Sequence, residues 1–560
     1  MKPGSVVTLF ALAAFAASAQ AAQAKPMAAP LAEAKAPPKP KLIVALAVDQ
    51  LSSDLFNQYR ARFTGGFKRL AGGVVFAMGH QSHAATETCP GHSTILTGSR
   101  PARNGIVAND WLNPALERKD KDGKPTFDVY CAEKPGPAGS AAVPYVVSAD
   151  SLKVPTLGDR LKLIDPATRV VSVSGKDRAA VMMGGHKADL SLWWDGKAYT
   201  SYLNQLDRLP PTLAAINTRA AALVATAKPV TLPQQCKPYS RAVALSDKVS
   251  VGTLQPRKAG DAPGWRTNPQ FDEITLDVAL ASMKAQNLGR NSGTDVLAIS
   301  FSGTDYVGHS FGTEGAEMCT QMTRLDATLA RLFASLDATG VPYAVTLTAD
   351  HGGTDVPERN RQNGFPAAER ADVMLSARAA GVVLGQKLGL PGSVLLGRAT
   401  FGDMYLAPAV PAARRAEVLA AAVNYYKAHK QVAAAFTGDE LKAAPPPARS
   451  VDEWSLLDRA KASYDPERSG DFLVLLKEYV TPIPGPAPGI NATHGSPWGY
   501  DRRVPILFWW KGIAGYEQPN AIETVDIMPT LASLIDLPVP PAEIDGRCLD
   551  LVIGTASNCK

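Results

Sequence analysis

The chain has no long basic block and little excess charge: 58 Lys and Arg face 52 Asp and Glu, a net of +6 over 560 residues. Charge therefore gives no support to a nucleic-acid partner. Past the N-terminus, no apolar run reaches the ~20 residues needed to span a bilayer. No fixed-period repeat is found, so a solenoid is not suggested. Histidine is scarce, with eight residues in all. What is present is globular composition, 46% apolar and 20% charged, with length for one large domain carrying insertions or for two or more domains.

The N-terminus has the parts of a signal peptide. Lys2 is basic, residues 6–17 are apolar, and Ala19-Gln20-Ala21 and Ala22-Gln23-Ala24 are small-x-small cleavage sites. The leader is read as residues 1–21, or as far as 24, and the product as periplasmic or secreted. The apolar run is too short for a retained anchor, and no Cys near the cleavage site indicates a lipid anchor. Residues 22–41 are an Ala/Pro/Lys-rich linker. An exported chain meets an oxidising compartment, so its six cysteines can pair, in any of 15 connectivities. Cys548 and Cys559 are the expected local pair, and Cys89 is expected to stay unpaired.

Three apolar runs of strand length each lead to a carboxylate. Leu42-Ile43-Val44-Ala45-Leu46-Ala47-Val48 ends at Asp49, residues 295–301 lead to Asp305, and residues 343–349 lead to Asp350. Continuous runs suit buried parallel strands, and ligands bind at the carboxyl edge of such sheets. Helical patterns lie between them, at 51–70, at 314–338 with Met318, Met322, Leu325, Leu329 and Leu332 on one face, and at 411–430. Residues 505–510 read as a late strand and 526–535 as a helix. The alternation predicts an α/β fold, a mostly parallel sheet covered on both faces. Residues 191–291 and 356–488 fit poorly and read as insertions in a domain spanning 42–560.

Thr86-Glu87-Thr88-Cys89-Pro90-Gly91-His92 reads as a loop opening a helix, whose apolar run begins at His92. A hydroxyl there would face free N–H groups and the positive end of a helix dipole, which suits an oxyanion. Asp49, Asp305, His309, Asp350, His351 and His494 are the candidate metal ligands. Carboxylate and imidazole suit zinc, and six ligands serve two metals with open positions. Three of the scarce histidines fall in what read as Gly-rich loops beside acids, and Asp350-His351-Gly352-Gly353 is the most specific signal. His80, His83, His186 and His429 have no such context, and His92 is read as supporting or packing.

Together, Thr88-x-Pro90-x-His92, Asp305-x-x-x-His309, Asp350-His351-Gly352 and Thr493-His494-Gly495 resemble the alkaline phosphatase superfamily. Within it the chain is most similar to the phosphate-irrepressible, PafA-type alkaline phosphatases. The resemblance covers nearly the whole mature chain and implies a three-layer α/β/α sandwich of alkaline-phosphatase type. It implies Thr88 as nucleophile, with Asn109, Lys176 and Arg178 holding substrate. One zinc would sit on Asp305, His309 and His494, and a second on Asp49, Asp350 and His351, with Lys176 in place of a third metal. Hydrolysis of small phosphomonoesters by a monomer, through a phosphothreonine, is the expectation.

The first rival is a nucleotide pyrophosphatase/phosphodiesterase, which shares the loop and both metal sites but not the Lys176-x-Arg178 pair that suits a dianion. A sulfatase needs Cys-x-Pro followed by Arg, whereas Cys89 directly precedes Pro90. A non-catalytic zinc-binding protein would keep the ligands and lose the nucleophile.

Overall fold

The structure is a computed structural model. It describes residues 1, 39–116, 118, 119, 123–134, 146–227, 230–552 and 557–559. The expected leader and most of the linker lie outside the described residues.

Leu42–Val48 (β1) is buried at every position, as a strand covered on both faces must be. The other strands of its ten-stranded sheet are Val74–His80 (β2), Val170–Ser174 (β3), Leu190–Trp194 (β4), Tyr199–Ser201 (β5), Asp295–Phe301 (β6), Tyr343–Thr348 (β7), Arg503–Trp510 (β8), Tyr516–Gln518 (β9) and Ile522–Glu523 (β10). The spatial order is β9-β2-β8-β7-β1-β6-β3-β4-β5, with β10 beside β2. β7, β1, β6, β3 and β4 run parallel, whereas β8 is antiparallel to both β7 and β2. The sheet is thus mostly parallel, as the apolar runs imply.

Register makes the strand ends level. Val48 pairs with Phe301, Ala47 with Thr348, and Ser300 with Ser174. The segments leaving four neighbouring strands carry Asp350, Asp49, Asp305 and Lys176, so all four emerge at one edge.

Side chains of β1 alternate between two cores. Leu42, Val44, Leu46 and Val48 face one, packed with the long helix at Gly315–Ala338, and Ile43, Ala45 and Ala47 face the other, with the helix at Thr88–Thr97. The long helix buries Met318, Met322, Leu325, Leu329 and Leu332, the face its periodicity marks. The pattern at 51–70 is two helices, Ser53–Arg60 and Gly66–Leu70. Asp326 accepts the N–H groups of Thr64, Gly65 and Phe67 at the break, which stabilises it. At 411–430 the helix proper is Arg415–Lys427, after a tight turn at Ala412–Arg414.

A second, four-stranded sheet is built from Leu395–Leu396, Gly402–Leu406, Phe472–Leu476 and Val432–Thr437, with its own core around Met404, Tyr426 and Phe472. Among the described residues no helix is long and apolar enough to cross a membrane.

Candidate active site

Thr88 is the first residue of a helix, Thr88–Thr97 (α1), so the helix starts before the apolar run at His92. Pro90 is tolerated because the first turn needs no N–H from it. Gly91 lets α1 close on the loop after β7: a Cβ there would lie 1.9 Å from the Asp350 carbonyl oxygen. Lys176 caps Asp177–Gly184 (α2), and Arg178 lies in that helix's first turn. Asp305 and His309 sit one turn apart on Gly303–Phe311 (α3), so His309 is a helix residue rather than the loop residue its glycine neighbours suggest. Their i,i+4 spacing puts both on one face.

All six candidate ligands converge. His309 Nε2 and His494 Nε2 lie 3.3 and 3.4 Å from Asp305 Oδ1, and 3.2 Å from each other. His351 Nε2 lies 3.3 Å from Asp350 Oδ2 and 3.5 Å from Asp49 Oδ1. The His351 and His494 rings stack with centroids 3.6 Å apart. Among the described residues, two groups bring ligand atoms within 4.8 Å of one another: Asp305–His309–His494 and Asp49–Asp305–His351. Asp350 joins the second group through its contact with His351.

The donors fit a metal. Nδ1 of His309, His351 and His494 lies 3.0, 2.8 and 2.7 Å from the carbonyls of Ala492, Gly352 and Thr86. A carbonyl only accepts, so each Nδ1 carries a proton, and in the neutral ring Nε2 then presents its lone pair inward. Asp49 Oδ1, Asp305 Oδ1 and His351 Nε2 are buried without a hydrogen-bond partner. Leaving such atoms unmatched is costly unless a cation takes them.

Electrostatics agree. Burial, then Asp305 and Asp350, push the Asp49 carboxyl well above the carboxylate range, against the pull of Lys176. Burial also acts on Asp305 and Asp350, but His309 and Lys176 hold Asp305 low, and His351 and His92 hold Asp350 low. Burial pushes His351 down to about 3 and lowers His494, so both stay neutral and able to ligate. For His309 burial is outweighed by Asp305, which raises it.

Lys176 and Arg178 flank the hydroxyl: Lys176 Nζ and an Arg178 terminal nitrogen are each 3.4 Å from Thr88 Oγ1. Lys176 Nζ is also 2.6 Å from Asp49 Oδ2 and 2.5 Å from Asp305 Oδ2. Both cations resist the penalty of burial, Lys176 through Asp305 and Asp49 and Arg178 through Tyr130, Tyr306 and Asp177. Asn109 Oδ1 accepts the Cys89 N–H at 2.7 Å, which leaves its amide group as a donor toward the site.

Cys89 is not free. It is bonded to Cys131, and Cys236–Cys319 and Cys548–Cys559 complete the pairing. The short ribbon of Asp110–Leu112 and Asp128–Tyr130 brings Cys131 back beside α1, a long-range contact that spacing does not reveal. His92 supports Asp350 Oδ2 at 3.1 Å and Ser300 Oγ at 2.8 Å, the supporting role read for it. Two supports escaped the sequence reading. Glu87 accepts the Asn109 N–H at 2.7 Å, and Tyr130 donates to Asp177 beside Arg178 at 2.6 Å. An acid directly before Thr88 was the only available signal for Glu87; Tyr130 gave none.

This fold and donor set define an enzyme of the alkaline phosphatase superfamily, whose members depend on metals. Residues 43–497 match the family described as type I phosphodiesterase / nucleotide pyrophosphatase, and the chain belongs to that family. It is 50% identical over 527 residues to alkaline phosphatase PhoK of Sphingomonas sp., covering 93% of this chain and 92% of that one. It is 46% identical over 523 residues to alkaline phosphatase PhoD of Zymomonas mobilis subsp. mobilis, covering 93% and 89%. The crystal structure of wild-type alkaline phosphatase PafA matches with a TM-score of 0.77 at 28% identity, covering 92% and 99%. The chain is a phosphatase of the alkaline phosphatase kind.

Proposed function

We propose that this protein is a zinc-dependent alkaline phosphatase that hydrolyses small phosphomonoesters through a phosphothreonine on Thr88. One zinc is assigned to Asp305, His309 and His494, the other to Asp49, Asp350 and His351. The observation that carries the reading is the convergence of these six donors beside a hydroxyl flanked by two buried cations.

Bound there, the metals supply Lewis acidity to the attacking and leaving oxygens and ease deprotonation of the hydroxyl. Lys176, Arg178 and the Asn109 amide hold the non-bridging oxygens, the positioning and charge stabilisation on which phosphoryl transfer depends. Thr88 Oγ1 gives up its proton and bonds to phosphorus as the bond from phosphorus to the ester oxygen breaks, and that oxygen takes up a proton and leaves as the alcohol. Water then attacks the same phosphorus, breaks the Thr88–phosphate bond and releases inorganic phosphate. Two cations beside Thr88 favour a dianionic monoester. The family match supports diester hydrolysis as the second reading.

The catalytic domain is taken as 42–560, with insertions around 191–291 and 356–488, acting as a monomer after export and loss of the leader. The test is metal removal and return. Dialysis against a chelator should abolish turnover of an aryl phosphomonoester, and zinc should restore it with two ions bound per chain. Full activity of the metal-free protein would refute the reading.

A further inference from the structure

We infer that the cleft outside Thr88 is a subsite for an uncharged aromatic alcohol, gripped by Phe401 and Ile490, so that the enzyme selects among phosphomonoesters by their leaving group. This rests on the phosphomonoesterase reading.

The cleft has a volume of about 620 Å³. That is far more than a phosphate group fills, and it lies in the ~300–1,000 Å³ range of small-molecule sites. Thr88, Asn109, Arg178, His309 and His494 line it, whereas Asp49, Lys176, Asp305, Asp350 and His351 do not. The site therefore opens on its His309–His494 side. The organic part of an ester whose phosphorus lies at Thr88 extends into this volume.

Its outer wall is apolar where it meets the site. Phe401, from the second sheet's side, packs on the loop that carries His494: a Cβ on Gly495 would lie 3.0 Å from the ring's Cζ. Ile490 keeps 53% of its surface exposed although its loop is firmly held. Ile490 N–H bonds the Ala487 carbonyl at 3.1 Å, and Asn491 N–H bonds the His309 carbonyl at 2.7 Å. Ile490 thus lines the cleft on a hydrogen-bonded backbone with its side chain still open to whatever enters. Ring and isoleucine line the same cleft that opens from the reacting centre.

Charge defines the alcohol further. Glu87, Asp110 and Asp403 line the cleft, and of its two arginines Arg178 serves the phosphate. Arg398 is already engaged, by Asp110 at 3.7 Å and by Asp128. Burial pushes Asp403 up to about 7, so it is ionised in the alkaline range. A second anionic group on the substrate would meet carboxylates rather than a spare cation.

The test compares benzyl, 4-carboxybenzyl and methyl phosphate on the zinc-loaded enzyme. Benzyl alcohol and methanol are of nearly equal acidity, so the benzyl-to-methyl ratio of kcat/KM reports the subsite. Wild type should favour benzyl phosphate by roughly tenfold or more, and Phe401→Ala should remove most of that, within the roughly 10–200-fold that an apolar pocket contact commands. Ile490→Ala should lower the ratio a few-fold, and its exposure makes misfolding no escape. 4-Carboxybenzyl phosphate should turn over more slowly than benzyl phosphate. Val382→Ala, on an exposed position of the Ala377–Leu388 helix, should leave the ratio unchanged. A wild-type ratio near one, a ratio indifferent to both cleft substitutions, or a preference for the carboxylated ester would overturn the subsite. Hydrolysis of none of the three would overturn the phosphomonoesterase reading beneath it.

Discussion

Arg178→Ala separates a monoesterase from a diesterase most cleanly. A phosphomonoester is a dianion in the alkaline range and offers three non-bridging oxygens, whereas a diester is a monoanion with one of those oxygens esterified. Arg178 reaches to 3.4 Å from Thr88 Oγ1, and its Nε–H is buried without a hydrogen-bond partner. It is a cation with a donor to spare, held by α2 beside the Thr88 hydroxyl. A hydrogen bond to a charged group contributes about 1.5–3 kcal/mol. At ~1.4 kcal/mol per decade, its loss should lower kcat/KM for an aryl monoester by about 10- to 100-fold. For the matched diester, with less charge to hold, the loss should be only a few-fold. Lys176→Ala is less clean, because it also strips a cation from Asp49 and Asp305. The assay is the ratio of kcat/KM for mono- and diesters with one common leaving group, before and after the substitution, at equal metal content. An unchanged ratio, or a wild type that prefers the diester, would refute the reasoning.

Acid quench during turnover of a labelled monoester should trap phosphate on Thr88, and Thr88→Ala should abolish the labelled species; label on Ser93 or Thr94 would identify another nucleophile. Removing the Cys89–Cys131 bond as Cys89→Ala/Cys131→Ala should lower kcat about tenfold, since Cys89 and Cys131 N–H groups both bond Asn109. It should also destabilise the fold by roughly 4 kcal/mol in the chain-entropy account of a loop that long. Cys548→Ala/Cys559→Ala, far from the site in sequence, should leave the rate constant unaltered. His83 is fully buried, and burial, with Arg502 nearby, pushes it down to about 3. Between that value and the ordinary 6.5 the unfolded chain binds a proton that the folded chain does not, so its contribution to stability is present above that window and falls as pH drops through it. The stability advantage of wild type over His83→Asn should therefore shrink on acidification by about 1.4 kcal/mol per pH unit below 6.5. Denaturant melts of both proteins at pH 7 and pH 5 measure it, and a constant difference would show that His83 does not stay neutral.

Much of the sheet was legible, because a strand buried on both faces must be apolar at every position and must then end. That is why β1, β6 and β7, and the acids past them, stand out in the chain. The candidate site was legible for a related reason: Asp305 and His309 recur as an acid and a scarce histidine just past an apolar strand, though their helix was read as a loop, and Asp350-His351-Gly352-Gly353 carries two donors and the glycines that permit close approach. What stayed hidden depends on contacts between distant segments. Spacing cannot show that β8 enters antiparallel between β7 and β2. Nor can it show that Cys131 returns to Cys89, or that Phe401 crosses from the second sheet to the His494 loop. The start of α1 was misplaced because its first turn, Thr88-Cys89-Pro90-Gly91, is poor in helix formers. It is helical because Gly91 packs on Asp350 and Asn109 accepts the Cys89 N–H, contacts that override local propensity.

Lys176 is where the two ligand groups meet. Asp49, Asp305 and Asp350 are buried together, and burial and its two neighbours drive the Asp49 carboxyl upward. An ammonium is compact and directs three donors apart, whereas a guanidinium is a planar fork suited to one carboxylate side-on. The ammonium can therefore touch Asp49 Oδ2 and Asp305 Oδ2 together and still face Thr88 Oγ1. Its position at the head of α2, directly after β3, fixes it at the same sheet edge as the carboxylates. A fixed positive charge thus stands where a further cation would otherwise be needed to offset the acids. That is the physical ground for proposing two metals rather than three: in that proposal Lys176 neutralises the acids and faces the substrate at once.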